Sequence, residues 1–243
     1  MKKETFIHLL FTQSQQAGLS LTQHQCALFY QYHRLLLEYN QFMDLTTITN
    51  DEEMIHRHYL DSLTLLSFEK AFSKQPLSII DVGTGAGLPG IPLAILLPQA
   101  HITLLDAQKK RISFLQEVTS QLGLSHVTLL HGRAEETAHS NDHREKYALA
   151  TARAVAPLPV LLEYLLPFVS IGGHALALKG PNVCEEFSKS SFAAETLGGN
   201  LYPPVPLHLP MVNYEPFLSV CEKISSTPTK YPRKPGIPSK RPL

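Results

Sequence analysis

An acid stands before three alternating glycines in Asp81-Val-Gly83-Thr-Gly85-Ala-Gly87, and Leu88-Pro-Gly-Ile-Pro92 follows. Glycine carries no Cβ, so backbone at Gly83, Gly85 and Gly87 can approach a bound molecule closely. Asp81 sets a carboxylate beside that loop, which suits a ligand with a positive or hydroxylated part over one that is phosphate alone. A second carboxylate, Asp106, closes the run Leu104-Leu-Asp-Ala-Gln108. It can accept hydrogen bonds from both hydroxyls of a ribose; capping a helix that begins at Gln108 is its plainer role. Ala134-Glu135 offers a small residue and an acceptor that could flank an adenine, or simply an acid in the first turn of a helix. Arg153 lies in the apolar run Ala150-Thr-Ala-Arg-Ala-Val-Ala156, where a charge is expensive unless it is paired or stands at the mouth of a site. Its planar fork suits a carboxylate, a phosphate or a base edge, and it cannot serve as a general base. A structural ion pair is the alternative reading of Arg153. Lys179, in Leu176-Ala-Leu-Lys-Gly180, is placed to reach a phosphate at the same mouth.

These residues need a scaffold that gathers strand ends. From Leu77 the chain alternates between apolar runs and helical patterns. The pattern predicts strands at 77–82, 101–106, 126–131, 147–151, 173–179, 200–208 and 216–223. Helices are predicted at 89–97, 108–122, near 134–139, at 157–170 and at 182–196. Such alternation implies an α/β fold with a mainly parallel sheet covered on both faces, and ligands in such sheets bind outside the carboxyl ends of the strands. The final two strands are joined by a loop alone, so one of them should run antiparallel. Pro89 and Pro92 fit the start of a helix, where a missing N–H costs least. Residues 1–72 show no such alternation and read as an N-terminal helical cap. A helix is expected over Leu21–Tyr39 with Thr22 as its cap, another over Asp51–Phe72, and a connector at 40–50. Residues 73–225 form the core, and 226–243 are a basic, proline-rich tail. The five prolines after Thr227 exclude regular helix or central strand there.

Composition narrows the function classes. The 243 residues carry 21 basic and 21 acidic side chains, so overall charge does not point to nucleic acid. The distribution does: no acid follows Glu222, whereas Lys223, Lys230, Arg233, Lys234, Lys240 and Arg241 do. The cysteines Cys26, Cys184 and Cys221 are far apart, which argues against a disulfide framework or zinc site and suits a cytoplasmic protein. His56 and His58 are two apart on a predicted helix and do not converge on a metal. His131 reads as structural and Lys109-Lys-Arg111 as solvated. No run approaches the ~20 apolar residues needed to span a bilayer. The start, Met1 to Thr12, resembles a signal peptide but breaks at Thr12-Gln-Ser-Gln-Gln16 without a small-residue cleavage site, so a helix is expected instead.

Gly85-x-Gly87-x-x-Gly90 formally fits a dinucleotide fingerprint, with Asp106 at the ribose position, so an NAD-dependent oxidoreductase is one reading. No hydride-transfer site accompanies it. Asp-x-Gly-x-Gly-x-Gly instead resembles the first motif of class I methyltransferases, which use S-adenosylmethionine (SAM) on a Rossmann-like, seven-stranded sheet. Across residues 40–243 the resemblance sharpens. His58-Tyr-Leu-Asp-Ser-Leu63, Asp81–Gly90, His131-Gly-Arg-Ala-Glu135, Ala152-Arg-Ala-Val-Ala156, Ala175-Leu-Ala-Leu-Lys-Gly180 and Tyr231-Pro-Arg-Lys-Pro-Gly236 occur in order. Together they resemble the small-subunit ribosomal RNA guanine-N7 methyltransferase family, also called the glucose-inhibited division protein B family. The resemblance implies methylation of guanine 527 in the 530 loop of 16S ribosomal RNA, free or in a small-subunit ribonucleoprotein. It implies a SAM pocket lined by Gly83, Leu88, Asp106, Ala107, Gln108, Ala134, Glu135 and Arg153, beside Asp81, Gly85 and Gly87 of the motif. RNA contacts are expected from Lys179, Arg233, Lys234, Lys240 and Arg241, and no metal or membrane is expected. Guanine N7 carries a lone pair and no proton, so Arg153 would position groups and no general base is required. A small-molecule SAM-dependent methyltransferase is the alternative, though it has no use for a basic tail.

Overall fold

The computed structural model describes residues 1–72, 76–209 and 212–243. Five strands, β1 (Ser78–Val82), β2 (His101–Asp106), β3 (Val127–His131), β4 (Tyr147–Arg153) and β5 (Val169–Lys179), pair in parallel. Two short strands, β6 (Gly199–Leu201) and β7 (Val205–Pro206), pair antiparallel with β8 (Phe217–Lys223), which itself runs antiparallel to β5. The order across the sheet is β3-β2-β1-β4-β5-β8-β6, with β7 also on β8. Among the described residues the expected seven strands become eight, because Pro203-Pro204, which lack N–H donors, divide the expected 200–208 strand.

Successive strand residues point to opposite faces, and the core divides accordingly. Ile79, Leu104, Leu149 and Leu176 pack with the N-terminal helices, while Ile80, Leu105, Ala150 and Ala175 pack on the other side. The N-terminal part comprises α1 (Lys3–Gln16), α2 (Gln23–Met43) and α3 (Asp51–Met54). Helix α3 runs on through a π-helical turn (Ile55–Leu60) into α4 (Asp61–Leu63), a 3-10 turn (Thr64–Ser67) and α5 (Glu69–Phe72). Thr22 caps α2 as expected, in a reciprocal capping box with Gln25. The cap–core boundary expected between 72 and 73 meets residues 73–75, outside the described residues.

The core helices are α6 (Gly90–Leu96), α7 (Lys109–Leu122), α8 (Ala134–Thr137), α9 (Leu158–Leu165), α10 (Val183–Ser188), α11 (Ser191–Thr196) and α12 (Ile237–Lys240). Helix α9 is shorter than the expected 157–170. A 3-10 turn at Leu166–Phe168, containing Pro167, ends it and releases Val169 into β5. The 182–196 helix is two helices, α10 and α11. The tail is also more ordered than its prolines suggest. Pro238 lies in the first turn of α12, where it sacrifices no intrahelical bond.

Candidate active site

The glycine loop is fixed from below and open above. Gly83 and Thr84 both donate backbone N–H groups to the Leu105 carbonyl, at 2.8 and 3.0 Å, which ties the loop to β2. Asp81 is fully buried, and its Oδ2 accepts from Thr84 Oγ1 at 2.7 Å and Gly90 N at 2.9 Å. Burial pushes its carboxyl up to about 6, against the opposing pull of those two hydrogen bonds. Asp81, expected to face the ligand, braces the loop through Oδ2. Its Oδ1 has no hydrogen bond among the described residues, so the carboxylate retains capacity for one further donor. Gly85 has φ +60°, and a Cβ there would meet nothing nearer than 3.9 Å, so the loop is open at Gly85, whereas Gly83 faces Val155 and Gly87 faces Ile91 and Leu115.

Asp106, at the end of β2, accepts from Gly85 N at 2.9 Å and Gln108 N at 2.8 Å, and Arg111 Nη1 lies 3.3 Å from its Oδ2. Arg111, expected to be merely solvated, is thus part of the site. Ala107 and Gln108 are exposed beside it. Ala134 opens α8 half-buried, but Glu135 is buried and its Oε1 accepts from Gly236 N of the tail at 3.2 Å. One oxygen of the acceptor foreseen beside adenine thus holds the tail.

Arg153 forms the hinge between core and cap. Its Nη1 donates to the Arg57 carbonyl at 2.6 Å and to Asp61 Oδ2 at 3.0 Å, while Nη2 donates to His58 Nδ1 at 3.2 Å. His58 Nδ1 also lies 3.1 Å from the Arg57 carbonyl, and its Nε2 is hydrogen-bonded with Thr46 Oγ1 at 2.7 Å. Burial, then the neighbouring Arg153 charge, brings His58 down to about 4, so the ring is neutral. Burial raises Asp61 while Arg153 pulls it back. The π-helical turn carries this apparatus: it presents His58 and, one turn later, Asp61 to the same guanidinium. Such turns recur at functional sites. The next residue, Ala154, has φ +56°, an uncommon conformation for a side-chain-bearing residue.

Two adjoining clefts result. A narrow one of about 190 Å³ lies between the glycine loop, Leu88, Arg111, and Leu45, Thr46 and His58 of the cap. It is below the ~300–1,000 Å³ usual for ligand pockets, and Arg111 on Asp106 narrows it. A wider cleft of about 650 Å³ includes Arg57, Asp61, Lys179, Glu186 and Tyr214. His58, Arg153 and Ala154 line both. Sequence reasoning missed Thr46, Asp61 and Tyr214. For Asp61 the signal was its three-residue spacing from His58; Tyr214 left none.

The expected RNA contacts fare unequally. Lys179 lines the wider cleft but is paired with Glu186 at 2.7 Å and donates to the Ala156 carbonyl at 3.0 Å. Arg233 is corrected to a structural anchor: its backbone N, Nε and Nη2 all bond the fully buried Glu163, at 2.6–3.1 Å. Lys234, Lys240 and Arg241 are exposed. Among the described residues no group of His, Cys, Asp or Glu could hold a metal ion, and no helix is long and apolar enough to cross a membrane.

Two solved structures share the fold. The [4+2]-cyclase SpnF superposes with a TM-score of 0.52 at 15% identity, covering 69% of this chain and 82% of that one. Geranyl diphosphate methyltransferase, solved in complex with SAM, gives 0.51 at 11%, covering 70% and 87%. The sheet order, the glycine loop after β1 and the acid ending β2 define a class I methyltransferase fold. Sequence comparison narrows the class. Residues 25–205 match the family described as rRNA small subunit methyltransferase G. The Ribosomal RNA small subunit methyltransferase G of Alkaliphilus metalliredigens is 47% identical, over 94% of this chain and 95% of the relative. That of Leuconostoc citreum is 42% identical over the full length of both. The chain belongs to the rRNA small subunit methyltransferase G family.

Proposed function

We propose that this protein transfers a methyl group from SAM to N7 of a guanine in the 530 loop of 16S ribosomal RNA, guanine 527 by family resemblance. One observation supports the choice of N7. Of the described residues that line both clefts, His58 has both ring nitrogens bonded, Arg153 cannot act as a base, and Ala154 has no titratable side chain. N7 loses no proton on methylation, so such a site suffices.

SAM, when bound, supplies an electrophilic methyl group on a positively charged sulfur. The chain's residues fit it. Gly85 gives backbone approach, while Gly83 and Gly87 let the loop pass close to Val155 and to Ile91 and Leu115, and the spare Oδ1 of Asp81 can receive one donor. Asp106 offers acceptors to ribose hydroxyls, which would take the place of Arg111 on Oδ2. Ala107, Gln108, Ala134 and Leu88 border the nucleoside end. Arg153 holds the cap against the core at the meeting point, which fixes where the acceptor atom stands. Positioning of this kind can supply ~7–11 kcal/mol of a barrier. A nucleotide in folded RNA must be unstacked to enter such a cleft. Exposed Lys234, Lys240 and Arg241 are available to phosphates. Ribosomal RNA as substrate supports the reading of a cytoplasmic protein.

The test is to incubate the protein with methyl-labelled SAM and unmodified 16S RNA or small-subunit particles, then cleave the RNA chemically at 7-methylguanine. A single cleavage in the 530 loop is expected. Label on another atom or another loop, or only on small molecules, overturns the reading.

A further inference from the structure

We infer that the wider cleft is the pocket of the target base, with Tyr214 as its stacking wall and the Asp61 carboxylate reading the N1–H and 2-amino group of guanine. This rests on the reading just given and names the residues that select the base.

The cleft has the size and position for a nucleotide. Its volume of about 650 Å³ falls within the range of ligand pockets, and it shares His58, Arg153 and Ala154 with the glycine-loop cleft. Ile48, Leu178 and Pro216 supply apolar lining, and Tyr214 supplies a flat ring. The Arg57 guanidinium lies 5.5 Å from the centre of that ring and is itself held by Glu53 at 2.6 Å. A ring backed in this way is a firm platform for a planar base, and stacking on aromatic side chains is how unpaired bases are commonly held.

Two carboxylates border the cleft, and their positions separate them. Glu186 does not line the glycine-loop cleft, and its Oε2 takes Lys179 at 2.7 Å and the backbone N of Leu158 at 2.7 Å, whereas Asp61 is bonded to Arg153, which lines both clefts. Asp61 is held through Oδ2 alone, by Arg153 at 3.0 Å. A carboxylate has about four acceptor sites, so Asp61 can keep Arg153 and still accept two parallel donors. Among the bases, guanine offers two such donors side by side, N1–H and the 2-amino group. N7 lies away from both, and stays clear for the methyl group. In the transfer, the N7 lone pair forms the new N–C bond while the S–C electron pair returns to sulfur, and no proton leaves. Positive charge passes into the purine, where a fixed carboxylate at N1–H stabilises it.

The experiment compares 16S RNA carrying guanine or inosine, which lacks the 2-amino group, at the target position. The wild-type kcat/KM should favour guanine by about tenfold or more, because an unfilled buried acceptor penalises the analogue. Asp61→Asn should lower the guanine value and bring the ratio close to one. Tyr214→Ala should lower kcat/KM about 10–100-fold for both RNAs, mainly through KM, with Tyr214→Phe recovering it and SAM affinity unmoved in both. If the wild-type enzyme methylates guanine and inosine equally, or Asp61→Asn keeps the ratio, Asp61 does not read the base. Full activity in Tyr214→Ala removes the stacking wall. If the wild-type protein transfers no methyl to either RNA, the proposed function itself fails, and that result is distinct from the others.

Discussion

Arg153 touches three groups of the cap at once, and this changes what its removal should do. Read from sequence, it was a charge at a strand mouth with ligand and ion-pair roles both open; the structure realises the ion pair within the site. Its partner could not be read from sequence, because Asp61 lies 92 residues away and only the docking of the π-helical turn on β4 brings them together. Arg153→Ala would strand the 6%-exposed Asp61 carboxylate. Breaking a buried pair from one side costs ~3–5 kcal/mol, so the variant should lose thermal stability as well as nearly all methyl transfer. Arg153→Lys should recover part of the stability and little of the rate, since one ammonium lacks the fork that reaches Asp61 and His58 together. An Ala variant with unchanged melting temperature would show that the pair is not holding the cap. His58 adds a pH dependence. Its folded value near 4 lies below the ordinary 6.5, so the unfolded chain binds the proton more readily. The resulting stability is complete above about pH 6.5 and is lost as pH falls towards 4, a difference of about 3 kcal/mol. Asp81, raised to about 6, acts with the opposite sign, its contribution declining as pH rises from about 4 to 6. Comparison with His58→Gln isolates the first effect: the wild-type stability should fall more steeply between pH 6.5 and 4 than that of the variant. Parallel curves would contradict it.

At the scale of elements, what sequence revealed is what local chemistry dictates. Apolar strand runs, alternating glycines and the Thr22 capping box act over a few residues, so their signals are compact. Helix ends were harder: Pro167 stops α9 early, and the π-helical turn interrupts a segment whose side-chain pattern reads as one continuous helix. The glycine loop shows why a residue outside the alternating motif matters equally. Gly90 begins α6 where it passes Asp81 and β2. A Cβ there would lie 2.2 Å from Leu104 Cδ2 and 2.8 Å from Asp81 Oδ2, and both neighbours are buried. Gly90→Ala must therefore push the helix away from the carboxylate that braces the loop. Overpacking of this kind costs ~1–3 kcal/mol, and the loop should lose SAM affinity by more than tenfold in calorimetry. Retained SAM affinity would mean that the loop holds its shape without the Asp81–Gly90 bond.

Across the whole molecule the tail acts as a strap. Composition alone showed only its charge and its prolines, which favoured an RNA-binding arm over a packed edge; burial separates the two residue by residue. Arg144 donates to the carbonyls of Thr227, Pro228 and Tyr231, and His139 reaches that of Pro232. Arg233 closes on Glu163, and Gly236 on Glu135. These contacts hold the 228–243 segment against α8 and α9, on the side of the molecule where Glu135 stands. Two sets of substitutions should then behave differently. Arg233→Ala leaves the fully buried Glu163 carboxylate without its guanidinium, so it should lower thermal stability by the ~3–5 kcal/mol of a broken buried pair. The salt dependence of RNA binding should not change. Replacing Lys234, Lys240 and Arg241 together by Glu should leave the melting temperature nearly unchanged, since all three are exposed. If they lie along the RNA, each lost single-strand phosphate contact should flatten the slope of log affinity against log salt by ~0.7. An unchanged slope would confine RNA contact to the cap and the strand-end clefts, leaving the tail a purely structural strap. Loss of slope in Arg233→Ala would instead mean that the strap itself must be seated before its exposed charges can meet phosphate.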